Sequence, residues 1–192
     1  LQFNKLFKID NIFIMQVSFK GQACQDLFVL KCLKNKRNGY FLEIGSNHPI
    51  NINNTYILEK EFNWKGIMVE YSPEFLDLYK HHRPSSEHII QDATTIDYLE
   101  YFKKLNFPAN IDYLQIDLEV DNRSTLTTLE NINSQLMDSY KFAVVTFEHD
   151  IYTGDFFDTR NKSRQIFESR GYVRVFSDVD ADVNGKYSPY ED

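Results

Sequence analysis

Cysteine, glycine and positive charge are all scarce in this chain. Two cysteines, seven glycines and five prolines are spread over 192 residues. Cys24 and Cys32 lack metal-ligand spacing, and a single pair is no disulfide framework for a chain this long. A bridge between them inside one helix would have the wrong geometry. They are expected to be reduced core thiols, as in a cytoplasmic compartment. No apolar run reaches the roughly 20 residues of a membrane span. Residues 1–20, LQFNKLFKIDNIFIMQVSFK, are interrupted by Lys5, Lys8, Asp10 and Asn11, a poor signal peptide. They are expected to be an N-terminal extension ahead of one domain over residues 21–192. The net charge is -7, and no basic stripe is present. A duplex-binding protein needs a positive footprint, so nucleic acid is not the expected partner.

What remains is a globular composition, 42% hydrophobic and 15% aromatic, with aromatic surface to spare for a ligand. Short apolar runs alternate with helical patterns. Strands are expected at 40–44, 66–69, 88–90, 112–116, 142–147 and 172–176. Helices are expected at 22–36, 53–62, 72–81, 97–105, 124–136 and 158–170, with Ser72 as an N-cap and Gly171 as a stop. The tail after Asp178 is polar and carries no clear pattern. This alternation argues for right-handed βαβ units and an α/β fold with a mostly parallel sheet. Ligands of such sheets sit outside the carboxyl ends of the strands. That rule selects residues 43–47, Glu70, Asp92, residues 117–121 and residues 148–150.

Gly45 follows the first strand and permits a sharp turn and close approach of a ligand. A dinucleotide fingerprint needs three glycines, and here Pro49 stands where another is common. A pyrophosphate cradle is therefore poorly supported, and a cofactor with a ribose but no phosphate fits better. Glu70 ends the second strand, where a carboxylate can accept from both ribose hydroxyls. Asp92 is placed to reach an adenine amino group or to cap the next helix. Asn47, Asn54 and Thr55 stand at a helix start, where capping and ligand contact are both open.

A run of motifs resembles the FkbM-type family of S-adenosylmethionine-dependent methyltransferases. GQACQDLFVL is similar to its lead-in helix and GYFLEIGSNHP to its glycine loop. NNTYILEKEFNWKGIMVE, IDYLQIDLEVD and TFEHDIY are similar to its following units, and SPYED to the start of a final strand motif. The resemblance covers about residues 18 to 192, in which Val120 replaces a common glycine. It implies a Rossmann-like class I methyltransferase fold, with helices on both faces of a twisted sheet and a last strand cut short. It also implies methyl transfer from S-adenosylmethionine to a hydroxyl of a sugar, glycan or other small polar acceptor. The expected cofactor contacts are Glu43, Gly45, Ser46, Asn47, Asn54, Thr55, Glu70, Tyr71, Asp92, Ala93 and Asp117.

A hydroxyl acceptor benefits from a general base, and the candidates are His149, Asp117 and Glu148. His149 leads by chemical type. A metal held by Asp117, Glu119 and His149 is the lesser alternative to a metal-free site. Two other functions share the topology: a nicotinamide-dependent oxidoreductase, and a catalytically inactive cofactor-binding module. The single loop glycine argues against the first. The Asn-His-Pro loop and Val120 leave room for the second.

Overall fold

The computed structural model describes residues 18–151 and 153–175, and the backbone of two strands beyond them. Five strands form one sheet: β1 Tyr40–Ile44, β2 Lys65–Glu70, β3 Glu87–Ile90, β4 Asn110–Ile116 and β5 Lys141–Phe147. Their order is β3-β2-β1-β4-β5, and every neighbouring pair is parallel. Strands covered on both faces read as unbroken apolar runs, which is why these segments stand out in the sequence.

Among the described residues six helices cover the sheet: α1 Gln25–Cys32, α2 Tyr56–Phe62, α3 Leu76–His82, α4 Tyr98–Lys104, α5 Ser124–Gln135 and α6 Phe157–Ser169. Alternate strand residues sort them into two layers. Leu42, Ile44, Ile67, Val69 and Ile116 pack with Tyr98, Phe102, Leu129 and Ile132 of α4 and α5. Phe41, Met68, Tyr113 and Val144 pack on the other face with Val29, Leu30, Leu58 and Tyr79 of α1, α2 and α3. The chain order turns back after β1, so the crevice of the sheet opens where β1 and β4 end side by side.

Several expectations change. α1 is shorter than residues 22–36 because Cys24 before it and Lys34 and Asn35 after it adopt positive φ. The α2 helix begins at Tyr56, since Asn53 and Thr55 turn their side chains to other partners. Ser72 makes no side-chain cap; its backbone N–H donates to Glu70 instead. Cys24 is exposed and not a core thiol, and both cysteines are free. Residues 172–175 are not a strand, and Phe176 lies outside the described residues. The Tyr172 hydroxyl donates to the Phe142 carbonyl at 2.9 Å instead of adding a backbone ladder to β5. β6 Val179–Val183 and β7 Lys186–Glu191 pair antiparallel as a separate sheet. No helix among the described residues is long and apolar enough to cross a membrane.

Candidate functional site

Three loops leave the sheet at one level. Asp117 N–H donates to the Ile44 carbonyl and Glu148 N–H to the Ile116 carbonyl, each at 3.0 Å. The ends of β1, β4 and β5 are thereby laced together. Gly45 has φ +79°, and a Cβ there would lie 1.7 Å from the Asp117 carbonyl oxygen. The close approach that demands glycine is thus to the neighbouring strand end. Gly45 and Ser46 donate their N–H groups to the Val69 carbonyl at 3.0 and 3.1 Å, which ties the same loop to β2.

Glu70 holds the opposite wall. One carboxylate oxygen accepts the Asn47 N–H at 2.7 Å. The other accepts the N–H groups of Tyr71 at 2.8 Å and Ser72 at 2.9 Å. A carboxylate offers about four acceptor positions, so three are in use and one is left. Asn47 sits at positive φ and its carbonyl accepts the Tyr79 hydroxyl. Tyr71 beside Glu70 is 75% exposed, an apolar ring with no cover. His48 steadies the loop, its Nδ1 accepting from Ile50 and Asn51 N–H at 3.1 Å each.

Behind this wall lies a buried polar network that the sequence did not announce. Glu43 accepts from Asn53 Nδ2 at 3.2 Å and Thr55 Oγ1 at 2.9 Å. Arg83, fully buried, donates to Glu59 at 2.8 Å, Asn53 Oδ1 at 2.8 Å, Thr55 Oγ1 at 2.7 Å and the Pro49 carbonyl at 3.2 Å. Ser86 donates to Glu59 as well. Burial pushes the Glu43 carboxyl up, and the Arg83 charge and its hydrogen bonds oppose that. Glu43 and Thr55 therefore spend their hydrogen bonds on the scaffold under the loop, not in the crevice.

Asn54 differs from its neighbours. Its Oδ1 is buried without a hydrogen-bond partner among the described residues. The lead-in to α1 covers it, because a Cβ on Gly21 would lie 2.7 Å from this oxygen. Asp26 fastens that lead-in by accepting from Lys20 N–H at 2.7 Å, Gly21 N–H at 3.2 Å and Leu27 N–H at 2.9 Å. Burial pushes the Asp26 carboxyl up against those bonds.

Asp92 stands at the end of β3, where its Oδ1 caps the following turn by accepting from Thr94 N–H at 2.9 Å and Thr94 Oγ1 at 2.7 Å. Ala93 is buried and its carbonyl accepts the Tyr98 hydroxyl. Both are on the same strand edge as Glu70.

The carboxyl side chains meet after β4 and β5. Burial pushes Asp117 up; a hydrogen bond with Glu148 pulls it down, nearby Asp150 pushes it up again, and Gln115 pulls it down. Gln115 Nε2 donates to Asp117 Oδ2 at 3.2 Å. Two carboxyl groups in hydrogen-bond contact share one proton. His149 is not presented as an open base. Its ring is fully enclosed, with Nδ1 accepting the Ile151 N–H at 3.5 Å. Glu119 is exposed. Among the described residues no group of three His, Cys, Asp or Glu side chains is arranged to hold a metal, so Asp117, Glu119 and His149 do not converge.

An apolar groove of about 270 Å³ runs along the outer side of β5, between Phe28 of α1, Leu33 just after it, and Phe167 of α6. Neither Asp117 nor Glu148 lines it. It belongs to the margin of the sheet and not to the crevice.

No family model and no curated protein sequence matches the chain. Solved structures do. The precorrin-6y C5,15-methyltransferase of Geobacter metallireducens is 16% identical, with 86% of this chain and 80% of that one covered at a TM-score of 0.53. A Clostridium thermocellum protein assigned as an rRNA methylase is 13% identical, with 91% and 96% covered at a TM-score of 0.51. At this identity the likeness is one of architecture: the chain has the Rossmann-like class I methyltransferase fold.

Proposed function

We propose that this chain is an S-adenosylmethionine-dependent O-methyltransferase acting on a hydroxyl of a sugar, glycan or other small polar molecule. The observation that carries the reading is the wall between β1 and β2. There Gly45, Asn47 and Glu70 form a glycine turn held by a carboxylate, with no phosphate cradle. The solved structures that share the fold are named for methyl transfer, to a precorrin in one case and to rRNA in the other. The FkbM-like motifs and the net charge of -7 favour the small polar acceptor.

The residues present fit such a cofactor. Glu70 has one acceptor position left for a ribose hydroxyl. The exposed ring of Tyr71 offers a face for adenine, and Asp92 with Ala93 lines its far edge. Gly45, Ser46 and Asn47 receive the amino-acid end, and Asn54 lies under the lead-in to α1 beside them. Asp117 bounds the crevice where the acceptor arrives. Glu43 and Thr55 act one layer down, by holding the loop. S-adenosylmethionine, when bound, supplies an electrophilic methyl group. The acceptor hydroxyl would be the group to receive it, and Glu148 would take the hydroxyl proton. Glu148 is in hydrogen-bond contact with buried Asp117, whose own carboxyl burial pushes up. His149, enclosed behind them, positions the loop that carries Glu148.

Isothermal titration with S-adenosylhomocysteine tests this. The wild type is expected to bind, and Glu70→Ala to lose both affinity and turnover. Tight NADH binding without S-adenosylhomocysteine binding would show an oxidoreductase instead. Glu70→Ala that keeps a protein partner while turnover is nil throughout would show a non-catalytic module.

A further inference from the structure

We propose that Asn53 is a positioning residue that locks the Ser46–Asn47 peptide, and through it Glu70, in the orientation that receives the ribose of the donor. The ribose rests on the methyltransferase reading; the clamp on the peptide does not.

The peptide unit between Ser46 and Asn47 is gripped on both sides. Its carbonyl accepts from Asn53 Nδ2 at 3.0 Å. Its N–H donates to Glu70 Oε2 at 2.7 Å. The bond to Glu70 is exposed, where water can replace it, and the bond to Asn53 is buried, where water cannot. Asn47 has φ +46°, a left-handed backbone that asparagine tolerates but does not prefer. A half-turn of the peptide would bring φ back to negative values and set the Ser46 carbonyl against the Glu70 carboxylate. Glu70 Oε1 already takes the Tyr71 and Ser72 N–H groups. The acceptor position left on Glu70 is therefore on Oε2, beside the Asn47 N–H. A turned peptide would place an oxygen beside the position meant for a ribose hydroxyl.

Asn53 is 1% exposed, and its amide is fully used. Nδ2 gives its second hydrogen to Glu43 Oε2 at 3.2 Å. Oδ1 accepts from Arg83 Nη1 at 2.8 Å and from the Thr55 N–H at 3.2 Å. Two donors and two acceptors exhaust the group. The amide cannot turn over, because Nδ2 would then face the guanidinium and Oδ1 the Glu43 carboxylate. Arg83 thus aims Asn53, and Asn53 aims the peptide.

Two measurements on the full chain test this. The first is hydrogen exchange at the Asn47 amide, expected to be protected in the wild type and to exchange roughly tenfold faster or more in Asn53→Ala. The second is titration with S-adenosylhomocysteine and with its 2′,3′-dideoxyribose analogue, which lacks both ribose hydroxyls. The wild type is expected to prefer S-adenosylhomocysteine roughly tenfold or more, and Asn53→Ala to lose most of that preference. A purely structural role would weaken both ligands alike and leave their ratio unchanged. Should the alanine variant fail to fold, Asn53→Asp keeps an oxygen for Arg83 and Thr55 and withdraws the donors, and the same two results are expected of it. The proposal is overturned if Asn47 stays protected in the variant, or if the variant's ligand ratio equals that of the wild type. A wild type that binds both ligands alike overturns it as well. A wild type that binds neither overturns the methyltransferase reading and the ribose with it, while exchange at Asn47 still decides the clamp.

Discussion

Asp117 shows how a residue's position turns into a measurable pH dependence. Burial raises its carboxyl above the ordinary range, so the native state holds a proton that the unfolded chain, with an Asp near pH 3.9, has already released. Where the native state binds more protons, stability falls as pH rises. The contribution is complete below about pH 4 and is lost as pH climbs through the raised folded value. Asp26 and Glu43 are raised by burial too, so they add slopes of the same sign. Asp117→Asn removes one of these slopes and keeps the shape of the side chain. Urea midpoints from pH 4 to neutrality, read as wild type against variant, are expected to shift steadily in the variant's favour. A difference that stays flat with pH would mean that Asp117 ionises in the fold as easily as in water. Part of this was legible: Asp117 and Glu148 follow apolar runs, which marks the functional edge. Gln115 was also within reach, since a period of two puts it on the face of Asp117. The enclosure of His149 was not, because the closing groups come from elsewhere in the chain.

At the scale of elements, the five strands of the sheet were read well, while the strand expected at 172–176 and the loop between β1 and α2 were not. Buried parallel strands announce themselves as local apolar runs. That loop is built by long-range bonds instead. Arg83 reaches Glu59, Asn53, Thr55 and Pro49, which stand 24 to 34 positions earlier in the chain. A pattern search over neighbouring residues cannot see such a partner, and it extends α2 backward over residues that the network holds. The same network predicts a large effect from one substitution. Arg83→Met removes the one cation that touches Glu59 and Thr55 among the described residues and leaves the Glu59 carboxylate buried. Breaking a buried pair in this way costs about 3–5 kcal/mol. Adding Glu59→Gln removes the stranded charge and is expected to restore part of the loss in denaturant melts. A cost in Arg83→Met no larger than that of an exposed arginine would mean that the loop is held by packing alone.

For the whole molecule, fold and charge divide the question of function. The sheet order and the crevice at the ends of β1 and β4 place the site, but a crevice of this kind serves many reactions. Charge narrows the partner. Binding to RNA draws most of its sequence-independent affinity from lysine and arginine neutralising phosphates, and that affinity falls steeply with salt. Here 28 acidic residues outnumber 21 basic ones, and the corner after β4 and β5 is itself lined by carboxyl groups. A phosphodiester backbone entering that corner would meet like charge at close range. The full chain is therefore expected to show no binding to duplex or single-stranded RNA near 0.15 M salt, by fluorescence anisotropy, with or without S-adenosylhomocysteine. Micromolar binding that weakens with added salt would reverse this conclusion. It would require a local basic surface strong enough to outweigh the net charge, and it would move the acceptor from small polar molecules to nucleic acid.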